Sequence, residues 1–126
     1  INRTYSKAEV LAGVINDYKG HRLASAVNEI PKDADIIINT TKLGMWPDTN
    51  GDPLAGHRLD KKTLVCDIVY NPSQTEMLKY AQSHGCRTCG GLNMLICQGL
   101  NAVEIWLGQQ LPADSWQVMA EAVNIL

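Results

Sequence analysis

Apolar residues along the chain fall into two rhythms, short unbroken runs and longer stretches that repeat every three or four positions. Val10, Leu11, Val14 and Ile15 share one helical face and predict a helix over residues 7–16. Ahead of it, Ile1 reads as the last residue of a buried strand and Asn2-Arg3-Thr4 as the turn that follows. Ser6 to Glu9 spells S-x-x-E, the pattern of a capping box at a helix start. A short strand is expected at 22–25 and a helical turn at 27–30. The β-branched run at 35–39 predicts a strand buried on both faces of a parallel sheet. Residues 40–60, rich in Gly, Pro, Asn and Asp, predict a long loop of a length usually tied to function or mobility. A second buried strand follows at 63–69. Ser73 to Glu76 is another S-x-x-E and opens a helix to about His84, stopped by Gly85. A strand at 87–89, a helix at 93–107 stopped by Gly108, and a last helix capped by Asp114 complete the reading. Trp116, Met119, Ala120 and Val123 share one face of that last helix.

Strands alternating with helices predict an α/β fold with a parallel sheet, and a length of 126 residues fits one domain. Ligands of such sheets bind beyond the carboxyl ends of the strands. Polar clusters stand at three of those ends: Asn2-Arg3-Thr4, Asn39-Thr40-Thr41 and Tyr70-Asn71-Pro72. An apolar content of 45% supplies a core, and a net charge of −2 gives no electrostatic case for nucleic acid or an anionic membrane. No apolar run is long enough to span a bilayer. Cys86 and Cys89 form C-x-x-C, the half of a zinc site or a redox pair, but Cys66 and Cys97 provide no second close-spaced pair. We therefore expect no metal site, with Cys66, Cys89 and Cys97 as small buried hydrophobes of a reduced, cytoplasmic protein.

The first cluster has a chemistry of its own. In dinucleotide-binding folds an acidic residue at the end of the second strand bonds the ribose 2′-hydroxyl, and an arginine there accommodates a 2′-phosphate instead. Arg3 offers a planar fork of donors, Thr4 a hydroxyl and Lys7 a cation, and no Asp or Glu stands at the turn. The pattern favours NADP over NAD, although three residues alone read better as a solvated basic turn.

Four stretches, INRTYSKAEVLA, ADIIINTTKLGMWP, LVCDIVYNPSQTEML and GCRTCGGLNMLICQGLNAVEIWLGQQLP, together resemble the C-terminal half of shikimate dehydrogenase. The resemblance runs from the first residue to about Pro112. It implies a Rossmann-like NADP-binding domain, incomplete at its N-terminal end, with C-terminal helices that pack toward a substrate domain. It also implies NADPH-dependent reduction of 3-dehydroshikimate to shikimate on the way to aromatic amino acids. The family's Gly-rich phosphate loop and its catalytic Lys and Asp lie upstream of the matching region. No catalytic residue is therefore expected here, neither Lys42 nor Lys79 substitutes for the missing lysine, and the 126 residues alone should be inactive. Related readings are a quinate dehydrogenase using NAD or NADP, and a non-catalytic nucleotide-binding domain. A homodimer is compatible with any of them.

Carried over residue by residue, the resemblance assigns Asn2, Arg3, Thr4 and Lys7 to the adenosine and 2′-phosphate of the cofactor, and Thr40 and Thr41 to its adenosine and ribose. Ile68, Gly91 and Met94 fall at the nicotinamide, and Tyr70 and Gln98 at the shikimate pocket. Lys42 stands where the family has Pro or a small residue, and Asn93 replaces a usual Gly at a helix start that it can cap. Gln98 should share the cleft-facing side of its helix with Met94, while Leu95 and Ala102 turn toward neighbouring elements. Asp67 reads as a structural hydrogen-bonding group of a buried strand. His21, His57 and His84 read as surface residues, and Trp46 as a lid residue or an exposed one.

Overall fold

The computed structural model describes residues 1–124, which form two compact units, Ile1–Ala34 and a second that begins at Asp35. In the first, α1 spans Tyr5–Lys19 and ends at Gly20, whose φ of 70° is the left-handed conformation that glycine adopts most readily. The helix starts before the expected capping box. Thr4 is its N-cap, without a side-chain cap bond, and Ser6 lies inside the helix. Ile1 is exposed and in no strand. None of the residues of α1 is buried, so its apolar face of Val10, Leu11, Val14 and Ile15 stays uncovered among the described residues.

The strand expected at 22–25 is not formed, nor is the helical turn at 27–30. A side chain stands in for a neighbouring strand. Asn16 Oδ1 accepts from the N–H groups of Leu23 (2.7 Å) and Ala24 (2.9 Å), and its Nδ2 donates to the Ala24 carbonyl (2.9 Å). That amide reproduces the donor and acceptor pattern of a ladder over two residues only, and the segment is not part of a sheet.

In the second unit, β1 (Ile36–Asn39), β2 (Leu64–Asp67) and β3 (Arg87–Cys89) form a parallel sheet in the order β1-β2-β3. The register pairs Asn39 with Asp67 and Cys66 with Cys89. The sheet buries one face well. Val65 is fully buried and Asp67 nearly so, against α2 (Glu76–Ser83), which brings in Met77, Leu78 and Ala81. The opposite face departs from expectation, since Ile36 and Ile38 are each 57% exposed. β1 is an edge strand here, and the continuous apolar run that predicts cover on both faces finds it on one.

Thr75, not Ser73, caps α2, because the Thr75 Oγ1 accepts from the Leu78 N–H (3.4 Å) while donating to Asp67. α3 runs Gly91–Leu107 and ends at Gly108 in the left-handed conformation. It begins at an N-cap of Gly90, so Asn93 lies in its first turn and does not cap it. α4 spans Ser115–Asn124 and packs on α3, where Met119 lies close against Gly99. Met119, Ala120 and Val123 are half-buried, and Trp116 is more exposed. The cysteines reverse the expectation. Cys86 is buried, Cys66 half-buried, and Cys89 and Cys97 are exposed. No group of three or more metal-ligating side chains occurs, and no helix is long and apolar enough to cross a membrane, among the described residues.

Candidate functional site

The ends of β1 and β2 are fixed by a buried polar network. Asn39 and Asp67 are the last residues of their strands and face each other across the ladder. Asn39 Nδ2 donates to Asp67 Oδ1 (3.0 Å) and to the Leu43 carbonyl (3.3 Å). Asn39 Oδ1 accepts from the Thr41 N–H (3.0 Å) and hydroxyl (2.7 Å), so the loop leaving β1 folds back over its own strand end. Asp67 Oδ1 also accepts from the Val69 N–H (3.0 Å), and its Oδ2 accepts from the Thr75 hydroxyl (2.7 Å). Both carboxylate oxygens are therefore occupied, and every buried side-chain polar atom in the described residues has a partner. Asp67 ties β1, the loop after β2 and the start of α2 together, the structural task its position implies.

The two loops above the strands are also joined to each other, as the Trp46 N–H donates to the Asn71 carbonyl (2.9 Å). From the other side α3 comes in at Gly91, whose N–H donates to the Val69 carbonyl (3.2 Å). A Cβ at Gly91 would overlap the Ile68 carbonyl group and come within 2.8 Å of the Val69 oxygen. The backbone at the exit of β2 therefore leaves room only for glycine at this position.

These constraints enclose a cavity of about 380 Å³ at the carboxyl ends of β1 and β2. Thr40, Thr41, Ile68, Tyr70, Met94 and Gln98 all line it, drawn from three separate segments. Lys42, Met45, Val69 and Leu95 line it too. Leu95 thus does not turn away from the cleft as its helix position suggests. Lys42 is the one charged residue in the lining. Gln98 is exposed. The walls are chiefly apolar, with two hydroxyls, a phenol, an amide and a cation among them. Apolar walls with a few convergent polar groups are the usual make-up of a small-molecule site.

The first unit carries its own cluster at the start of α1. Asn2 Oδ1 accepts from the Thr4 N–H (2.9 Å), which shapes the turn, and the Lys7 N–H donates to the Thr4 carbonyl (3.0 Å). Residues 1–7 are all exposed. The only ion pair among the described residues joins Lys79 to Glu76, so Arg3 and Lys7 have no carboxylate partner. No acidic residue occupies the first turn of α1. Cations at the positive end of a helix dipole repel it, and an anion bound there would relieve both.

Comparison with known proteins agrees with this geometry. The model of the shikimate 5′-dehydrogenase C-terminal domain matches residues 91–123. A shikimate dehydrogenase (NADP(+)) of Methanococcus aeolicus is 42% identical over 116 residues, covering 86% of this chain and 40% of the relative. A crystal structure of shikimate dehydrogenase in complex with NADP+ aligns with a TM-score of 0.84 at 33% identity, over 96% of this chain and 44% of that one. Quinate dehydrogenase from Corynebacterium glutamicum in complex with NAD aligns with a TM-score of 0.80 at 32% identity, over 98% and 44%. The chain thus spans about 40% of the length of the curated relatives it matches. Its parallel sheet with flanking helices is the Rossmann-like fold of those structures, and the chain is similar to the C-terminal portion of shikimate dehydrogenases.

Proposed function

We propose that these residues are the C-terminal part of the NADP-binding domain of a shikimate dehydrogenase, whose complete chain reduces 3-dehydroshikimate to shikimate. The carrying observation is the cavity at the ends of β1 and β2, which gathers Thr40, Thr41, Ile68, Tyr70, Met94 and Gln98. The residues present fit the cofactor. The start of α1 offers unpaired cations to a 2′-phosphate, and the cavity offers an apolar wall to a nicotinamide ring. Asn2, Arg3, Thr4 and Lys7 would hold the phosphate end, Thr40 and Thr41 the ribose side, and Ile68 and Met94 the ring. When bound, NADPH supplies the hydride for the C3 carbonyl of the substrate. Ile68 and Met94 exclude water from the ring's face. Tyr70 and Gln98 orient the substrate through its hydroxyls, and Lys42 adds a positive charge suited to a carboxylate or phosphate. The proton belongs to the Lys and Asp that the family carries upstream.

The purified 126-residue chain should accordingly form no NADPH from shikimate, read as the absence of an absorbance rise at saturating substrate. In the complete enzyme, Gln98→Ala should raise the KM for shikimate about fivefold, the cost of one neutral hydrogen bond of about 1 kcal/mol. NADP affinity and melting temperature should barely change, because Gln98 is exposed. A fall in melting temperature with an unchanged shikimate KM would remove Gln98 from the substrate site.

The quinate and NAD alternative remains the second reading, favoured by the likeness to a quinate dehydrogenase in complex with NAD. The absence of an acidic residue in the first turn of α1 weighs against NAD.

A further inference from the structure

Two of the four cysteines are direct neighbours on adjacent strands. Cys66 of β2 is in register with Cys89 of β3 in the parallel ladder. Residues paired in this way project to the same face of the sheet, and parallel strands stand about 4.8 Å apart. That spacing lies inside the Cα separation of about 4.4–6.8 Å that a disulfide accepts. The face is the more open one. Val65 and Asp67 point to the side covered by α2, whereas Cys66 is half-buried and Cys89 exposed. Both thiols are free. Sequence spacing draws attention to the C-x-x-C of Cys86 and Cys89 instead, but Cys86 is buried and its Sγ donates to the Asp60 carbonyl (3.3 Å).

We propose that Cys66 and Cys89 form an oxidation site, closing to a cross-strand disulfide when the protein meets a small disulfide oxidant such as oxidised glutathione. Exposure decides the order. The Cys89 thiolate attacks one sulfur of the oxidant, whose S–S bond breaks and releases one glutathione thiolate. Cys66 then loses its proton and attacks the Cys89 sulfur of the mixed disulfide, releasing the second glutathione. Two protein thiols are oxidised, one glutathione disulfide is reduced to two thiols, and the two protons pass to the departing thiolates. Burial, together with the neighbouring Cys89, pushes the Cys66 thiol above its ordinary value, which fits the resolving role and not the attacking one.

The test is peptide mapping by mass spectrometry after exposure of the protein to oxidised glutathione. The expected product is a linked pair of peptides carrying Cys66 and Cys89, lighter by two hydrogens, with exposed Cys97 as a separate mixed disulfide. Cys66→Ser should stop the reaction at a Cys89–glutathione adduct. An adduct at Cys89 that accumulates equally in the unaltered protein and in Cys66→Ser would overturn the proposal. A probe that needs no substitution is phenylarsine oxide, which bridges two adjacent thiols. One equivalent should protect Cys66 and Cys89 together from alkylation, and protection of neither would equally overturn it.

Discussion

Replacing Gly91 with alanine should unfold or grossly weaken the second unit. The new Cβ would occupy the space of the Ile68 carbonyl, and the nearest atoms are backbone, which cannot rotate aside as a side chain would. Either α3 must withdraw from the sheet or the exit of β2 must bend. The first breaks the bond from the Gly91 N–H to the Val69 carbonyl. The second disturbs the Val69 N–H that Asp67 holds. Overpacking against side chains costs about 1–3 kcal/mol, and a clash with fixed backbone belongs at or above the top of that range. A fall in melting temperature on the order of 10 °C or more is expected. An alanine variant that melts within a degree or two of the unaltered protein would show that α3 does not approach β2 as described.

Replacing Arg3 with alanine in the complete enzyme should weaken NADPH about ten- to a hundredfold and NADH hardly at all. A hydrogen bond to a charged partner is worth about 1.5–3 kcal/mol, which sets that range. Arg3 is exposed and has no carboxylate partner, so its loss should leave the fold intact. Affinity for the two cofactors, measured side by side, is the appropriate readout. Equal losses would place Arg3 away from the 2′-phosphate.

The strands and the last three helices are legible in the sequence because each has a strong rhythm. Arg87–Cys89 is predicted to the residue, and the other elements to within a few positions. The N-terminal caps of α1 and α2 are not, and for α2 the reason is tertiary. Both S-x-x-E patterns suggest a capping box, yet Thr75 caps α2 because Asp67, eight residues back, accepts its hydroxyl proton. The segment after α1 carries a strand's pattern, but its pairing partner is the Asn16 side chain, which periodicity does not reveal. Ile36 and Ile38 carry the pattern of a central strand while β1 lies at the edge of the sheet. For the cavity, the resemblance picks out Thr40, Thr41, Ile68, Tyr70, Met94 and Gln98. Lys42 and Met45 escape it because the loop after β1 has no period to read. The pairing of Cys66 with Cys89 escapes because it depends on register across 23 positions, which local spacing does not encode.

The most direct test of the proposed function is steady-state turnover of 3-dehydroshikimate by the complete enzyme, with NADPH and NADH compared under identical conditions. Consumption of NADPH with a kcat/KM at least tenfold above that for NADH is the predicted result, following the charge-assisted contact proposed at the start of α1. No turnover of 3-dehydroshikimate with either cofactor, or a preference for NADH, would contradict it.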